Sequence, residues 1–230
     1  MKKVLLLIVL IVTFTSCSKT PEHKPTITKA KWVAIGNSIT WHPINSYWWG
    51  EYGMAASKRE NDYVHVLNEK LKGLDSNASF KIAWAVEWER SHNGYDLTYF
   101  NEYFNGDETL VVIRLGENVT SLTNYEADFR LLVQHIKSLA PNAKIIISGV
   151  FMTASSNLAA KDMAQKNVSD SEGCTWLSLK ELDTTENRSK VGNQVMGDDG
   201  LLHKIDRQDV ADHPGDKGMQ VIADAIYKLI

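Results

Sequence analysis

The sequence predicts one α/β domain built on a parallel sheet, and three observations carry that prediction. Short apolar runs with strand character alternate along the chain with segments of helical periodicity, the order that parallel strands joined by crossover helices require. The runs at 110–115 and 144–149 are almost continuously apolar, as strands covered on both faces are. The length of 230 residues, with 43% hydrophobic and 23% charged, suits one domain with a full core, and there is no repeat, low-complexity tract or second boundary.

The first strand covers 31–35 and stops at Gly36; after a loop, Val64, Leu67, Leu71 and Leu74 share one helical face. A second strand covers 80–86 and leads into a polar loop around Asn93 and Gly94, and the third strand covers 110–115. In the helix that follows, Thr123 and Glu126 have the spacing of a capping box. Leu122, Tyr125, Phe129, Leu132, Val133 and Ile136 form its apolar stripe, and Pro141 follows its end. A fourth strand at 144–149, a helix at 158–167 and a short fifth strand at 175–179 come next. Met219, Ile222, Ala223, Ile226 and Ile230 mark a closing amphipathic helix.

The N-terminus has the make-up of an export signal: Lys2 and Lys3, an apolar run over 4–12, then Thr15-Ser16-Cys17. That run is too short for a membrane-spanning helix, which needs about 20 residues. The small residues before Cys17 resemble the lipobox of bacterial lipoproteins, which implies a signal peptide over 1–16 and a lipidated Cys17. Residues 17–30, with Pro21 and Pro25 among polar neighbours, read as a tether, and 31–230 as the domain. The expected location is the cell envelope, on the periplasmic face or the cell surface, with the lipid as the only membrane attachment. Cys174 is the one other cysteine, so no disulfide is expected and the fold must stand on its core. A formal net charge of -3 leaves no surplus of cations for phosphates, which argues against nucleic-acid binding.

Reactive groups in parallel sheets sit just beyond the carboxyl ends of strands. After the first strand stand Gly36-Asn37-Ser38-Ile39-Thr40, and after the third Gly116-Glu117-Asn118-Val119. A serine on a tight turn can be exposed with its own N–H aimed at an oxyanion, and an asparagine amide on the adjacent strand end can donate to the same oxyanion. Either residue alone is also ordinary turn chemistry. Asp212-His213-Pro214-Gly215 precedes the last helix, and a histidine on a braced turn can serve as a fixed general base. His65 and His135 fall within helical segments, whereas His42, His92 and His203 lie in loops and compete with His213.

Taken together, 33–40, Gly116-Glu117-Asn118, and His213-Pro214 with Gly218 resemble the first, third and fifth blocks of the SGNH (GDSL-like) hydrolases, in the family's order and spacing. The resemblance covers nearly all of 31–230. It implies a flavodoxin-like three-layer α/β/α fold with a five-stranded parallel sheet, Ser38 as nucleophile and His213 as base. It also implies an oxyanion hole from the Ser38 N–H, a block-two glycine N–H and the Asn118 amide, with no metal or organic cofactor. The chain departs from the pattern in four places. Asn37 and Val119 replace aspartates, no glycine follows the second strand before Gly94, and Val210 stands where the family has an aspartate three residues before the histidine. Asp209 and Asp212 remain candidates for the triad acid, and Asp209 is favoured because a helical turn returns a residue four positions back to the same side.

The nucleophile loop carries Trp41, His42, Tyr47, Trp48, Trp49 and Tyr52. Trp41 and Trp48 are candidates for stacking on a substrate, or pack the loop onto the domain. Glu89 is a further substrate-contact candidate, with an ion pair among Glu87, Glu89 and Arg90 as the other reading. The expected function is hydrolysis of carboxylic esters through an acyl-enzyme, on a small-molecule or glycan ester and above all on carbohydrate O-acetyl groups. The alternatives are a lipid or thioester acyl hydrolase, and a carbohydrate-binding protein of the same fold with weakened catalysis.

Overall fold

The computed structural model describes residues 29–230. The expected signal peptide, Cys17 and all but the last two residues of the expected tether lie outside the described residues. Five parallel strands form the sheet in the order β2-β1-β3-β4-β5: β1 (Lys31–Gly36), β2 (Ser79–Trp84), β3 (Leu110–Arg114), β4 (Lys144–Ser148) and β5 (Thr175–Leu177). Period-2 alternation divides the core between the two faces. Trp32 and Ala34 of β1 and Leu110 and Val112 of β3 face a cluster with Leu67, Leu71, Met219, Ile222 and Ile226. Those five residues come from α1 (Tyr63–Lys72) and α6 (Asp216–Tyr227). Val33, Ile35, Val111 and Ile113 face Phe129, Leu132, Val133, Ile136 and Val168, which belong to α3 (Tyr125–Leu139) and α4 (Leu158–Glu172). The result is the expected three-layer α/β/α arrangement with a five-stranded parallel sheet.

Several local expectations are corrected. β2 ends at Trp84, and the rest of the predicted strand turns into a short helix, α2 (Val86–Arg90). The capping box at Thr123 does not form, because Asn124 takes a left-handed φ of 59° and starts α3 one residue later. The Thr123 N–H instead meets Ser121 Oγ at 3.2 Å, and Glu126 binds Arg130 at 3.1 Å and Asn167 at 3.0 Å. Leu122, counted in the stripe, and Leu74, counted with α1, lie outside their helices and are exposed. Near the C-terminus a two-stranded antiparallel hairpin, β6 (Gln194–Met196) and β7 (Leu202–Lys204), precedes the one-turn helix α5 (Gln208–Ala211).

Strand register places the site. Gly36 pairs with Trp84 on one side and Arg114 on the other, so β2, β1 and β3 end level. The segments leaving these strands, with Ser38, Val86 and Asn118, therefore meet at one edge of the sheet.

Candidate active site

Ser38 sits on the turn that closes β1. Asn37 O accepts from the N–H of Thr40 at 2.8 Å and of Trp41 at 3.0 Å, and Ser38 O accepts from Met54 N at 2.8 Å. The serine hydroxyl is half-exposed at the floor of a cleft of about 430 Å³ that is also lined by His42, Trp84, Val86, Asn118 and His213.

Ser38 Oγ lies 2.8 Å from His213 Nε2. On the other side of the ring, His213 Nδ1 is 2.8 Å from the backbone carbonyl of Asp209. A carbonyl only accepts, so the ring proton sits on Nδ1 and the Nε2 lone pair faces the serine hydroxyl. Burial lowers the His213 pKa to about 4, the Asp209 carbonyl and Glu117 opposing that shift. The imidazole is therefore the neutral free base at physiological pH. The turn is held by Ser189 N donating to His213 O at 2.9 Å and Gly215 N donating to Asn187 O at 2.9 Å. Gly218 permits this close approach, since a Cβ there would stand 2.1 Å from Asn187 O.

Among the described residues no carboxylate is hydrogen-bonded to the imidazole, which corrects the expectation for Asp209. Its side chain turns outward to Arg207, with Oδ1 2.9 Å from Nε, and this pairing lowers its pKa. The spacing of four does bring Asp209 back to His213, but through the main chain. Asp209 O is one of the last carbonyls of a one-turn helix, which lack backbone donors, and the imidazole fills that place. Asp212 is no closer to the role, as it accepts from Gln208 at 2.9 Å.

Beneath the cleft lies a buried polar network that sequence reasoning missed. Arg114, fully buried, donates to Glu117 Oε1 at 2.7 Å and to Asn37 Oδ1 at 2.7 Å. Asn37 Nδ2 donates to Glu117 Oε2 at 2.7 Å and to Glu89 Oε1 at 3.0 Å. The departure at Asn37 thus has a cause: an aspartate there would set a third carboxylate against two others with one guanidinium between them. Glu89, 1% exposed, also accepts from Gly116 N and from Asn118 Nδ2, the latter at 2.6 Å. Glu89 is therefore a buried anchor and not a substrate contact, and the expected ion pair forms without it, between Arg90 and Glu87 at 3.3 Å. In the sequence Glu89 stands among Glu87, Arg90 and Ser91, a polar stretch that gives no sign of its burial.

Trp48 is also corrected: it is fully buried, with its ring 5.0 Å from Tyr52, and packs the loop. Trp41 stands at the border of a second cavity of about 590 Å³, where it meets Trp84 edge-on at 5.6 Å, with Phe80, Tyr99 and Tyr103 around it. Trp84 lines both cavities. Of the competing histidines, His42 lines the cleft with Nδ1 against Pro43 O at 2.7 Å. His92 is buried against Asp128 at 2.7 Å, and His203 stacks on Trp49. Among the described residues no group of three or more His, Cys, Asp or Glu is placed to hold a metal ion.

No protein-family model matches the chain, and the search among curated proteins returns no match. Solved structures do match. A salicylyl-acyltransferase from a tetracycline biosynthetic pathway is 15% identical with a TM-score of 0.55 over 88% of this chain. An active-site mutant of a family two carbohydrate esterase from Clostridium thermocellum is 18% identical with a TM-score of 0.54 over 90% of this chain. An extracellular lipase from Streptomyces rimosus is 15% identical with a TM-score of 0.51 over 86% of this chain and 98% of its own. The chain spans 55% of the acyltransferase and 64% of the esterase. At these identities the likeness is one of fold: this chain has the α/β/α architecture on which those enzymes are built.

Proposed function

We propose that the protein is a serine esterase that cleaves carboxylic esters through an acyl-enzyme. The observation that carries this reading is the 2.8 Å contact between Ser38 Oγ and a neutral His213 Nε2 at the floor of an open cleft. In the reaction, Ser38 Oγ attacks the ester carbonyl while His213 Nε2 takes its proton. The imidazolium then returns that proton to the leaving alcohol, and water repeats the sequence on the acyl-enzyme. The oxyanion is received by the Ser38 N–H, the Val86 N–H and the Asn118 amide. Neither of the two main-chain groups has an acceptor among the described residues. Val86 fills the place of the block-two glycine, and a main-chain donor does not need glycine to serve there.

The substrate class we favour is an O-acetylated carbohydrate. Support comes from the aromatic cavity that adjoins the cleft across Trp84, where ring faces beside polar groups suit sugar rings, and from the carbohydrate esterase among structures of the same fold. The lysine-led apolar segment ending at Cys17 supports a lipid anchor in the cell envelope. Among the described residues no helix is long and apolar enough to cross a membrane.

The test is labelling with a fluorophosphonate probe together with turnover of p-nitrophenyl acetate. The unmodified chain should label and turn over, and Ser38→Ala should do neither while keeping its circular dichroism spectrum. A Ser38→Ala protein that retains more than a few per cent of the hydrolysis would remove Ser38 from the mechanism.

A further inference from the structure

We infer that Glu89 is a positioning residue whose carboxylate orients the Asn118 amide and ties together the three strand ends that form the oxyanion site. The inference rests on the esterase reading and assigns a task to a buried group which that mechanism does not otherwise use. Glu89 is carried by α2, the segment leaving β2. Its Oε1 accepts from Asn37 Nδ2, beside the nucleophile after β1, at 3.0 Å, and from Gly116 N after β3; its Oε2 accepts from Asn118 Nδ2 at 2.6 Å. One side chain thus reaches all three segments.

The chemistry of the groups fixes the direction of each contact. An ionised carboxylate only accepts, so Asn118 must present its amide nitrogen to Glu89 and not its oxygen. The second hydrogen of that nitrogen remains for the cleft, which Asn118 lines. Gly116, at φ 128°, supplies the backbone conformation that brings its N–H to the same carboxylate. A glutamine at 89 would keep its oxygen where two donors converge and set its NH₂ against Asn118. The Asn118 amide would then turn over, place its oxygen toward Gln, and lose the donor it offers the oxyanion.

Protonation of Glu89 has the same consequence, because a carboxyl O–H at Oε2 also calls for the Asn118 oxygen. Burial and the Glu117 carboxylate push the Glu89 pKa up to about 7, against the three N–H donors that lower it. The other charged or titratable groups around it are Arg114, which binds Glu117, and Tyr125 and Lys161, both coupled to Glu89 through space. Below about pH 7, kcat should therefore fall to a lower plateau as Asn118 turns over.

The test is steady-state hydrolysis of p-nitrophenyl acetate by the unmodified chain, Glu89→Gln, Asn118→Ala and the double variant. Glu89→Gln should lower kcat about 10²-fold with KM within about twofold, comparable to the loss of one oxyanion donor. On the Asn118→Ala background the same change should cost less than about threefold, since its route of action is already gone. The step near pH 7 should be present in the unmodified chain and absent from Asn118→Ala, a comparison that stands even if Glu89→Gln fails to fold. An unaltered kcat in Glu89→Gln, an equal loss on both backgrounds, or a step that persists in Asn118→Ala would each overturn the inference. Failure of the unmodified chain to turn over any ester would instead refute the esterase reading.

Discussion

Replacing Asp209 by asparagine separates the two ways in which a residue four positions before the base can serve it. The carboxylate is exposed and faces Arg207, 2.9 Å from Oδ1 to Nε, while the group that holds the imidazole is the Asp209 carbonyl at 2.8 Å from Nδ1. The substitution changes the first and leaves the second. A carboxylate on the imidazole would be worth up to about 10⁴ in kcat, whereas an exposed ion pair on a short helix contributes little to anything. Arg207 also lies over the Tyr47 ring at 4.2 Å, and losing its partner loosens that contact at the rim of the cleft. The expected outcome is a kcat within about threefold of the unmodified chain, a small change in KM, and an unchanged circular dichroism spectrum. The assay is initial-rate hydrolysis of p-nitrophenyl acetate near pH 8, where Glu89 and His213 are both in their working forms. A fall of thirtyfold or more would mean that the carboxylate, and not the carbonyl, sustains the imidazolium.

Two further outcomes follow from the same geometry, and a third from the N-terminal sequence. Because burial lowers His213 to about 4, and the base works only when neutral, kcat/KM of the Glu89→Gln protein should stay level down to about pH 5 and then drop tenfold per pH unit below 4; a limb between 6 and 7 in that variant would contradict the burial argument. Gly218→Ala sets a methyl group 2.1 Å from Asn187 O, which forces α6 and the His213 turn apart; a cost of roughly 1–3 kcal/mol and a Tm lower by about 3–10 °C should accompany a reduced kcat, and a variant with unchanged Tm would show that the turn yields freely. Cys17→Ser should move the protein from the membrane fraction to the soluble fraction with kcat unaffected, as lipidation acts on location alone, and membrane retention after a salt wash would count against the anchor.

The layers, the five sheet strands and the four long helices were legible in the sequence alone. Continuous apolar runs such as Val111–Ile113 can only be satisfied between two helical layers, and the helical periodicity of α3 and α6 declares which faces they bury. It also marked where Ser38, Asn118 and His213 stand relative to strand ends and the last helix, because those positions follow from chain order. Local spacing went no further. Thr123 and Glu126 have the letters of a capping box, but Asn124 between them adopts the left-handed conformation that asparagine tolerates, and the box did not form. The spacing of four brought Asp209 to His213, yet whether carboxylate or carbonyl makes the contact depends on the competing Arg207 and on a helix end without a donor. Trp48 and Trp41 look alike in a linear chain, and only the packing of the loop puts the first in the core and the second beside a cavity. Glu89 is the clearest case: a buried carboxylate is tolerated only where donors converge on it, and its donors lie 27, 29 and 52 residues away, on the segments that follow β3 and β1. That convergence is a property of the β2-β1-β3 register, so the tertiary structure alone could decide it.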